Sequence, residues 1–400
     1  MKKLLIIETE HDGHYLTGYI KYILRSLKKE NIKVFILLSD KTLKHGKGAL
    51  KILKDEGVKY HIETIKSLSV NKTDFLSLII YQLKLYFLIK KKFYQINKKF
   101  KFNHVILTSI QRIDKIISIF GSPFGKTNFS AVFLGLKFHL KNFKIKSKST
   151  NHFLSKLLFN RLLNIKTLSK IIVNDYLLKK FVDKKFIKNK EKVLFLHDPK
   201  EFNFKINNSA ALKKLKIPKN KFVILIYGAI IDSKGVEELL DIYKHYDNNI
   251  HCLIVGKQFG LVKNFLKENN FIKQLIHEKK ISIFDGWQSE KKEAIFFSAS
   301  NTIWIGYKNY TFPSGVLYQA VALNKPCIIS NNGFINELNK KYKIGFATNI
   351  NDYKSIINSI EKIKNPKNLK ILKRNIRKFF KISNPVIWTT KFRNNFLKII

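Results

Sequence analysis

Short runs of apolar residues recur along the chain, separated by segments with helical spacing. The first run, residues 3 to 7, leads into a polar loop with a glycine, residues 8 to 14, and then helical spacing from Leu16 to Leu27. Similar runs follow at residues 33–39, 104–108, 129–135, 170–175 and 192–198. Uninterrupted apolar runs of this length are typical of strands buried on both faces, and strands that alternate with helices form parallel sheets. The first half of the chain is therefore predicted to be a parallel α/β domain.

A polar segment, residues 199 to 221, interrupts this rhythm and contains Pro199 and Pro218, as connections between domains commonly do. The apolar runs then restart at residues 222–228, 250–256, 280–286, 301–307 and 325–330. We predict a first domain at residues 1–205 and a second parallel α/β domain at residues 206–383. The helix-like segment 384–400 is predicted to pack back on the first domain.

The charge of the chain is strongly unbalanced. Its 400 residues include 76 Lys and Arg against 28 Asp and Glu, which gives a net charge of +48. Attraction to nucleic acid, attraction to anionic lipid headgroups, or a compositional bias toward Lys and Asn would each explain this excess. The lysines are spread along the whole chain, whereas nucleic-acid modules concentrate them on one element. A specific nucleic-acid partner is therefore not expected.

Cysteine usage and the apolar segments limit the cellular context. Cys252 and Cys327 are far apart, and each lies within an apolar run, so they are predicted to be buried, reduced thiols without a disulfide or metal motif. The apolar stretch near the N-terminus, five residues long, is too short for a signal peptide. No stretch reaches the roughly 18 apolar residues of a membrane-spanning helix. We expect a cytoplasmic protein, with peripheral contact to the inner face of the membrane as an option.

Residues 75 to 102 form the most hydrophobic and basic segment. Its apolar residues surround the predicted helix instead of forming one narrow stripe, which favours a buried or half-buried helix. The cluster from Lys90 to Lys92 keeps a membrane-surface helix open as the alternative.

Two motifs lie where strands of the second domain are predicted to end. One has Gly228 at the end of a strand and Lys234-Gly235 before a helix; the other has Ser314-Gly315 before a helix. Ligands bind at the carboxyl ends of parallel strands, and a lysine together with helix-start N–H groups can receive phosphate. Ser314 is a candidate N-cap for its helix. Ordinary solvated loops and a plain strand-to-helix turn are the alternatives for these segments.

Together these motifs resemble those of the retaining GT-B glycosyltransferases of the family 4, or group 1, type, which includes bacterial lipopolysaccharide and capsule enzymes. The resemblance rests on G-x5-KG, then FDGW, then SGVLYQAVALNKPCIIS, then NNGF and KIGFATN in this order, and it covers residues 222 to 350. In the N-terminal half it rests mainly on the loop ETEHDGHYLTGY. The implied fold is GT-B, with two Rossmann-like parallel-sheet domains that face each other across a cleft.

The resemblance implies a hexosyltransferase-like enzyme that moves a sugar from a nucleotide-diphosphate donor to a lipid-linked or surface-glycan acceptor in polysaccharide biosynthesis. Retention, no metal and no cofactor other than the substrate are expected. Lys234 would contact the diphosphate, and His14 with Gly13 would approach the reacting phosphate from the first domain. The implied donor-binding residues are Gly13, Gly228, Lys234, Gly286, Trp287, Ser314, Gly315, Val316 and Gln319.

Some positions depart from the family pattern. Thr311 and Gln319 stand where two Glu residues are common, and Ala229 stands where many members have Arg. The loss of both carboxylates leaves open an alternative from another class, a catalytically silent GT-B scaffold that binds a nucleotide sugar or glycan.

Two further residues of the first domain are weaker candidates. His139 is a candidate for contact with the donor sugar, although a surface histidine is the preferred interpretation. Asp175 is a candidate for the acceptor side, and helix capping by its carboxylate is the alternative.

Overall fold

The structure is a computed structural model that describes residues 1–10, 15–68, 74–146, 151–246 and 249–400. The chain divides into two compact units. Unit 1 comprises Met1–Pro199 together with Pro385–Ile400, and unit 2 comprises Lys200–Asn384.

Unit 1 contains a seven-stranded parallel sheet. Its strands are β1 (Lys2–Glu8), β2 (Ile32–Ser39), β3 (Tyr60–Ile65), β4 (His104–Leu107), β5 (Asn128–Val132), β6 (Leu168–Val173) and β7 (Val193–Phe195). They lie in the order β3-β2-β1-β4-β5-β6-β7. The order changes direction between β1 and β4, which is the point where open α/β sheets bind ligands.

Helices cover both faces of this sheet. They are α1 (Lys21–Leu27), α2 (Asp40–His45), α3 (Lys47–Lys54), α4 (Phe75–Phe100), α5 (Asp114–Phe120), α6 (His152–Leu163) and α7 (Tyr176–Lys185). A π-helical turn at Leu16–Ile20 precedes α1, and short 3₁₀ helices cover Ile110–Arg112, Leu140–Phe143 and Ile187–Lys192.

Strand β1 shows why an uninterrupted apolar run is needed. Leu5 and Ile7 point into a core that includes Ile89 and Phe93 of α4. Leu4 and Ile6 point to the opposite face, into a second core that includes residues of α1. Because successive strand residues alternate between faces, covering both faces requires every position to be apolar.

Helix α4, the 26-residue helix predicted from residues 75 to 102, has two different faces. Asp74 caps it by accepting a bond from Ser77 N–H at 2.9 Å. One face is in the core, while Leu76, Phe87 and Tyr94 remain exposed on the other. The expected half-buried helix is confirmed.

Unit 2 contains a six-stranded parallel sheet. Its strands are β8 (Phe222–Tyr227), β9 (Ile250–Gly256), β10 (Ile281–Asp285), β11 (Thr302–Ile305), β12 (Cys327–Ser330) and β13 (Gly345–Thr348). They lie in the order β10-β9-β8-β11-β12-β13, which changes direction between β8 and β11. The sequence-based prediction of two parallel α/β domains is confirmed.

The helices of unit 2 again lie on both sides of the sheet. They are α8 (Asn208–Lys214), α9 (Val236–Leu240), α10 (Gly260–Glu268), α11 (Asn270–His277), α12 (Glu290–Ala299), α13 (Gly315–Ala322), α14 (Gly333–Tyr342), α15 (Tyr353–Lys364) and α16 (Pro366–Ser383). Short 3₁₀ helices cover Asp232–Lys234 and Asp241–Lys244.

The last helix, α17 (Pro385–Phe396), lies in unit 1 and packs against α1. Its rings stack in a row, with centroids 5.3 Å apart for Trp388 and Phe392 and 4.1 Å apart for Phe392 and Phe396. The ring of Trp388 lies 6.0 Å from that of Tyr22 on α1. Within the described ranges, no helix combines the length and the apolar character that crossing a bilayer requires.

Candidate functional site

The loops that follow β8 and β11 begin on neighbouring strands at the carboxyl edge of the unit 2 sheet. The first loop contains Gly228 and Lys234, and the second leads to Ser314 and α13. Since the sheet order changes direction between these two strands, the topology directs both motifs to the edge where ligands bind.

The backbone around Lys234 is fixed by close packing. Gly235 has a φ of +67°, and a Cβ built on it would lie 2.2 Å from the carbonyl oxygen of Gly306. The indole N–H of Trp304 donates to the carbonyl oxygen of Lys234 at 2.8 Å. A side chain at position 235 would force these segments apart, which explains the glycine after the lysine.

The Lys234 side chain is turned inward and only 9% exposed. Its Nζ donates to the hydroxyl of Tyr307 at 2.8 Å, lies 4.0 Å from the centre of the same ring, and reaches the carbonyl oxygen of Tyr227 at 3.4 Å. Burial lowers the pKa of the Lys234 ammonium to about 7. No carboxylate in the described ranges lies within ion-pair distance of Lys234, so its charge has no protein counter-ion there.

Gly228 and Val316 adjoin this ammonium group. A Cβ built on Gly228, whose φ is +102°, would lie 3.8 Å from Lys234 Nζ and 3.6 Å from a methyl carbon of Val316. The lysine of the first loop and the start of α13 therefore both border Gly228. This proximity is the central geometric feature of the site.

Ser314 occupies the N-cap position of α13, but its hydroxyl does not cap the helix. Burial raises the pKa of the nearby Tyr307 phenol, and the Ser314 hydroxyl opposes this rise. The predicted N-cap position of Ser314 is thus confirmed, although its side chain makes no capping hydrogen bond. The first N–H groups of a helix have no acceptor within it, so those of Gly315 and Val316 remain available.

A carboxylate that the sequence did not single out lies beside Gln319. The Gln319 amide on α13 donates to Glu293 on α12. Burial raises the pKa of the Glu293 carboxyl to about 7; the Lys200 charge opposes this rise and the Glu290 charge adds to it. A Cβ on Gly315 would lie 3.8 Å from Cε of Lys200, which places this lysine at the same helix start. Thr311, the other position that lacks the expected Glu, is buried.

Gly286 and Trp287 follow β10 at the same edge of the sheet. Gly286 has a φ of +100°, and the Trp287 side chain is 75% exposed. Strand β10 is separated from β8 by one strand, which corresponds to roughly 10 Å. The exposed ring of Trp287, just beyond the end of this strand, offers a surface for a planar group.

The candidate site residues of unit 1 are Gly13, His14, His139 and Asp175, and the structure describes only the last two. Gly13 and His14 lie outside the described residues. Next to that segment, the carboxylate of Glu8 is buried at the end of β1 and accepts bonds from Glu10 N–H at 2.6 Å and the Ser109 hydroxyl at 3.1 Å. These bonds fix the start of the loop.

His139 is 0% exposed, so the interpretation as a surface histidine is wrong. Its ring lies among phenylalanine side chains, and its Nε2 is 2.9 Å from a carboxylate oxygen of Asp175, although not with well-aligned hydrogen-bond geometry. The other oxygen of Asp175 accepts from Leu178 N–H at 2.9 Å, so the capping interpretation of Asp175 is confirmed. Among the described residues no three or more His, Cys, Asp or Glu side chains are grouped to hold a metal ion.

Fold and site define an α/β protein of the GT-B class, and the structural comparisons agree. HepE from Anabaena in complex with UDP and glucose matches with a TM-score of 0.70 and 14% identity, over 100% of both chains. Sucrose-phosphate synthase from Thermosynechococcus elongatus matches with a TM-score of 0.70 and 13% identity, over 100% of this chain and 99% of that one. The apo form of the lipopolysaccharide outer core galactosyltransferase WaaB matches with a TM-score of 0.59 and 15% identity, over 100% of both chains. At these identities the similarities show the fold.

Sequence comparison gives the more specific result. Residues 207–379, which carry Lys234, Ser314 and Gln319, match the family model described as glycosyl transferases group 1. No curated protein matches the sequence. This family match over residues 207–379 indicates a glycosyltransferase.

Proposed function

We propose that this enzyme moves a sugar from a nucleotide-diphosphate donor to a lipid-linked or surface-glycan acceptor, with retention and without a metal. The convergence of Lys234, Gly228 and the start of α13 carries the proposal. A diphosphate brings negative oxygens that suit both an ammonium group and free helix-start N–H groups. HepE binds UDP and UDP-glucose in the similar structures, which supports a nucleotide sugar as donor.

Each part of the site has a role in this proposal. Lys234 and the N–H groups of Gly315 and Val316 neutralise the leaving diphosphate, and the ring of Trp287 lies beside the base. As the bond from the anomeric carbon to the phosphate oxygen breaks, the acceptor oxygen bonds to the same face of that carbon and its proton passes to the departing phosphate. Gly13 and His14 are assigned to the reacting phosphate on the sequence resemblance alone. Fixed positive groups at the leaving diphosphate stabilise the charge that develops as the bond breaks.

Turnover of a panel of radiolabelled nucleotide sugars tests this function. UDP-, GDP- and ADP-sugars are incubated with crude lipid-linked acceptor, and release of nucleoside diphosphate and labelled product is measured. Lys234→Ala is expected to lower turnover by about 100-fold or more, because it removes a preorganised charge at the leaving group. Lys267→Ala, which removes an exposed lysine of the same unit, is the control and should retain activity.

The outcomes separate transfer from the alternative of a silent scaffold. Nucleotide-sugar binding without turnover for every donor and acceptor would support the scaffold. Full activity of Lys234→Ala would refute the assigned role of the lysine. The anomeric configuration of the product, read by NMR, tests retention, and activity in excess EDTA tests independence from a divalent metal.

We further propose that unit 1 contacts an anionic membrane through α4. Exposed apolar residues of this helix border a groove of about 480 Å³, and Lys66, Lys84 and Lys91 surround its apolar wall. The wall consists of Leu68, Ile80, Leu83, Phe87 and Leu88. Apolar side chains ringed by lysines suit a bilayer surface that carries negative headgroups. The buried free thiols of Cys252 and Cys327 agree with a cytoplasmic location at the inner face.

Co-sedimentation with vesicles tests this contact. The enzyme is expected to bind phosphatidylglycerol-containing vesicles, to bind neutral phosphatidylcholine vesicles weakly, and to lose binding in the Lys84→Glu/Lys91→Glu variant. Lys263→Glu/Lys267→Glu makes the same charge change on unit 2 and serves as the control. Equal loss in both variants would show that only the total charge matters and that α4 is not the contact surface.

A further inference from the structure

A second concave pocket of unit 2 is separate from the residues assigned to the donor. It has a volume of about 390 Å³ and lies between α9, the junction of α10 and α11, and the segment that leads from β13 into α15. Leu240 and Ile350 contribute buried apolar side chains to its lining. None of the described residues that line it belongs to loops 228–235, 286–287 or 314–319. Pockets of this size, with apolar walls and a few polar groups, are typical sites for small ligands or for single units of larger ones.

Half-buried aromatic rings form part of the pocket wall, namely those of Phe265, Phe271 and Tyr353. The side-chain oxygen of Asn269 accepts a bond from Phe271 N–H at 2.9 Å, which fixes the start of α11. Lys244 Nζ lies 5.6 Å from the centre of the Phe271 ring and supports the ring from another side. The face of an aromatic ring carries partial negative charge and attracts C–H groups. A sugar ring presents C–H groups of this kind on its faces.

Carboxylates form the polar part of the wall. Glu237, Glu238 and Asp241 line the pocket within five residues of sequence. Asp241 is paired with Lys244 at 2.7 Å, and Glu238 is paired with Lys308 at 2.5 Å. Glu237 is exposed, and none of the described lysines or arginines lies within ion-pair distance of it. A carboxylate has about four lone-pair sites, so a paired one can still accept a bond from a hydroxyl group.

This lining selects the chemical class of the ligand. Phosphates and other anions are repelled by the carboxylates. A cation finds two of the three carboxylates already paired, and the net charge of +48 repels it at longer range. A purely apolar molecule would leave the polar groups of the wall without partners. A neutral sugar satisfies both kinds of wall, because its hydroxyls donate to carboxylates and accept from the exposed amides of Asn269 and Asn351.

We propose that this pocket binds sugar units of a neutral glycan chain and that it is a binding site distinct from the donor site. The binding itself does not depend on the donor assignment. The identity of the chain as the acceptor rests on the proposed function. A chain held by one of its units stays near the enzyme between encounters, which raises the effective concentration of its reacting end.

Calorimetry with neutral oligosaccharides tests the proposal. Maltoheptaose, cellopentaose and chitopentaose are titrated into the full-length protein in the presence of excess UDP, and trilysine is the cationic comparison. At least one oligosaccharide is expected to bind, with an affinity that UDP leaves unchanged. The affinity should also change little in 0.5 M NaCl, because no net charge is neutralised on binding. Trilysine is expected not to bind.

Substitutions that keep the apolar volume isolate the role of the rings. Phe271→Leu should weaken oligosaccharide binding by about fivefold, and Phe265→Leu/Phe271→Leu should weaken it further, because each loses an aromatic face. Phe259→Leu makes the same exchange at a phenylalanine of unit 2 that does not line the pocket, and it should bind as the wild type does. Thermal melting confirms that each variant is folded.

Each contrary result has a definite meaning. Wild-type affinity in Phe265→Leu/Phe271→Leu, or loss of oligosaccharide binding when UDP is added, would place the sugar elsewhere and overturn the proposal. Trilysine binding that Phe271→Leu weakens would overturn the ligand class. If UDP binds and none of the neutral oligosaccharides does, the proposal fails while the donor assignment stands. If an oligosaccharide binds in this pocket and no nucleotide binds the protein, the proposed function fails and the sugar site stands.

Discussion

Replacing Lys234 with methionine should stabilise the protein while it weakens donor binding. The ordinary pKa of a lysine is 10.5, and burial lowers that of Lys234 to about 7. Each unit of difference in pKa corresponds to about 1.4 kcal/mol. Below pH 7 the ammonium is charged in both the folded and the unfolded state, so its burial lowers the free energy of unfolding by about 5 kcal/mol. At pH 7 the loss is still about 4 kcal/mol.

The sign and the pH range follow from proton binding. Between pH 7 and 10.5 the unfolded chain binds more protons at this position than the folded protein, so stability rises with pH. Lys234→Met removes this dependence. The variant also loses the bond to Tyr307, which contributes about 1 kcal/mol. The net gain is therefore expected to be about 3 kcal/mol at pH 7 and about 1 kcal/mol at pH 9.

Differential scanning calorimetry at pH 7 and pH 9 measures this effect. For a unit of this size, a gain of about 3 kcal/mol raises Tm by roughly 6–12 °C. Lys267→Met, at an exposed position, is the matched control and should shift Tm little at either pH. A Tm of Lys234→Met at or below that of the wild type at pH 7, or a difference that does not shrink toward pH 9, would refute the burial argument.

Three further outcomes follow from the geometry. Because the diphosphate should recharge Lys234, UDP binding at pH 8 should take up about one proton in wild type and none in Lys234→Met, as measured by calorimetry in buffers of different ionisation enthalpy. Gly235→Ala should destabilise the protein by more than about 3 kcal/mol in chemical denaturation, since its Cβ meets the Gly306 carbonyl at 2.2 Å; an unchanged midpoint would contradict this. Phe392→Ala should cost about 3–5 kcal/mol, because its ring is fully buried between two others, whereas the exposed Val386→Ala should cost little.

The parts of the fold that the sequence predicts are those buried on both faces. Strands β1, β2, β8 and β9 have apolar residues at nearly every position, because helices cover both sides of them. Strand β3 at the edge of the sheet was missed, since YHIETI is mostly half-buried or exposed and needs no apolar run. The apolar run at residues 192–198 predicts a longer strand than β7, which spans only Val193–Phe195 at the other edge of the sheet.

The site was predictable where local sequence determines it and not where tertiary packing does. Glycine next to Lys234 indicates a loop that approaches another backbone closely, and the structure shows this approach to Gly306. The pairing of Glu293 with Gln319 joins two helices that are separate in sequence, and no spacing rule reports it. The burial of His139 likewise depends on phenylalanines from different elements.

Two opposite charges in unit 2 are both disfavoured by burial and yet are bonded to neutral partners. Lys234 bonds to the Tyr307 hydroxyl and Glu293 to the Gln319 amide. A direct ion pair between Lys234 and Glu293 would offset the desolvation cost of both charges. Each charge would then be neutralised by the other, and neither would be available to a ligand. Keeping them apart leaves both charged groups available to a ligand, and in the proposed function the Lys234 ammonium receives the phosphates. In the proposed function, the stability given up at Lys234 is therefore the physical counterpart of the affinity that the diphosphate gains there.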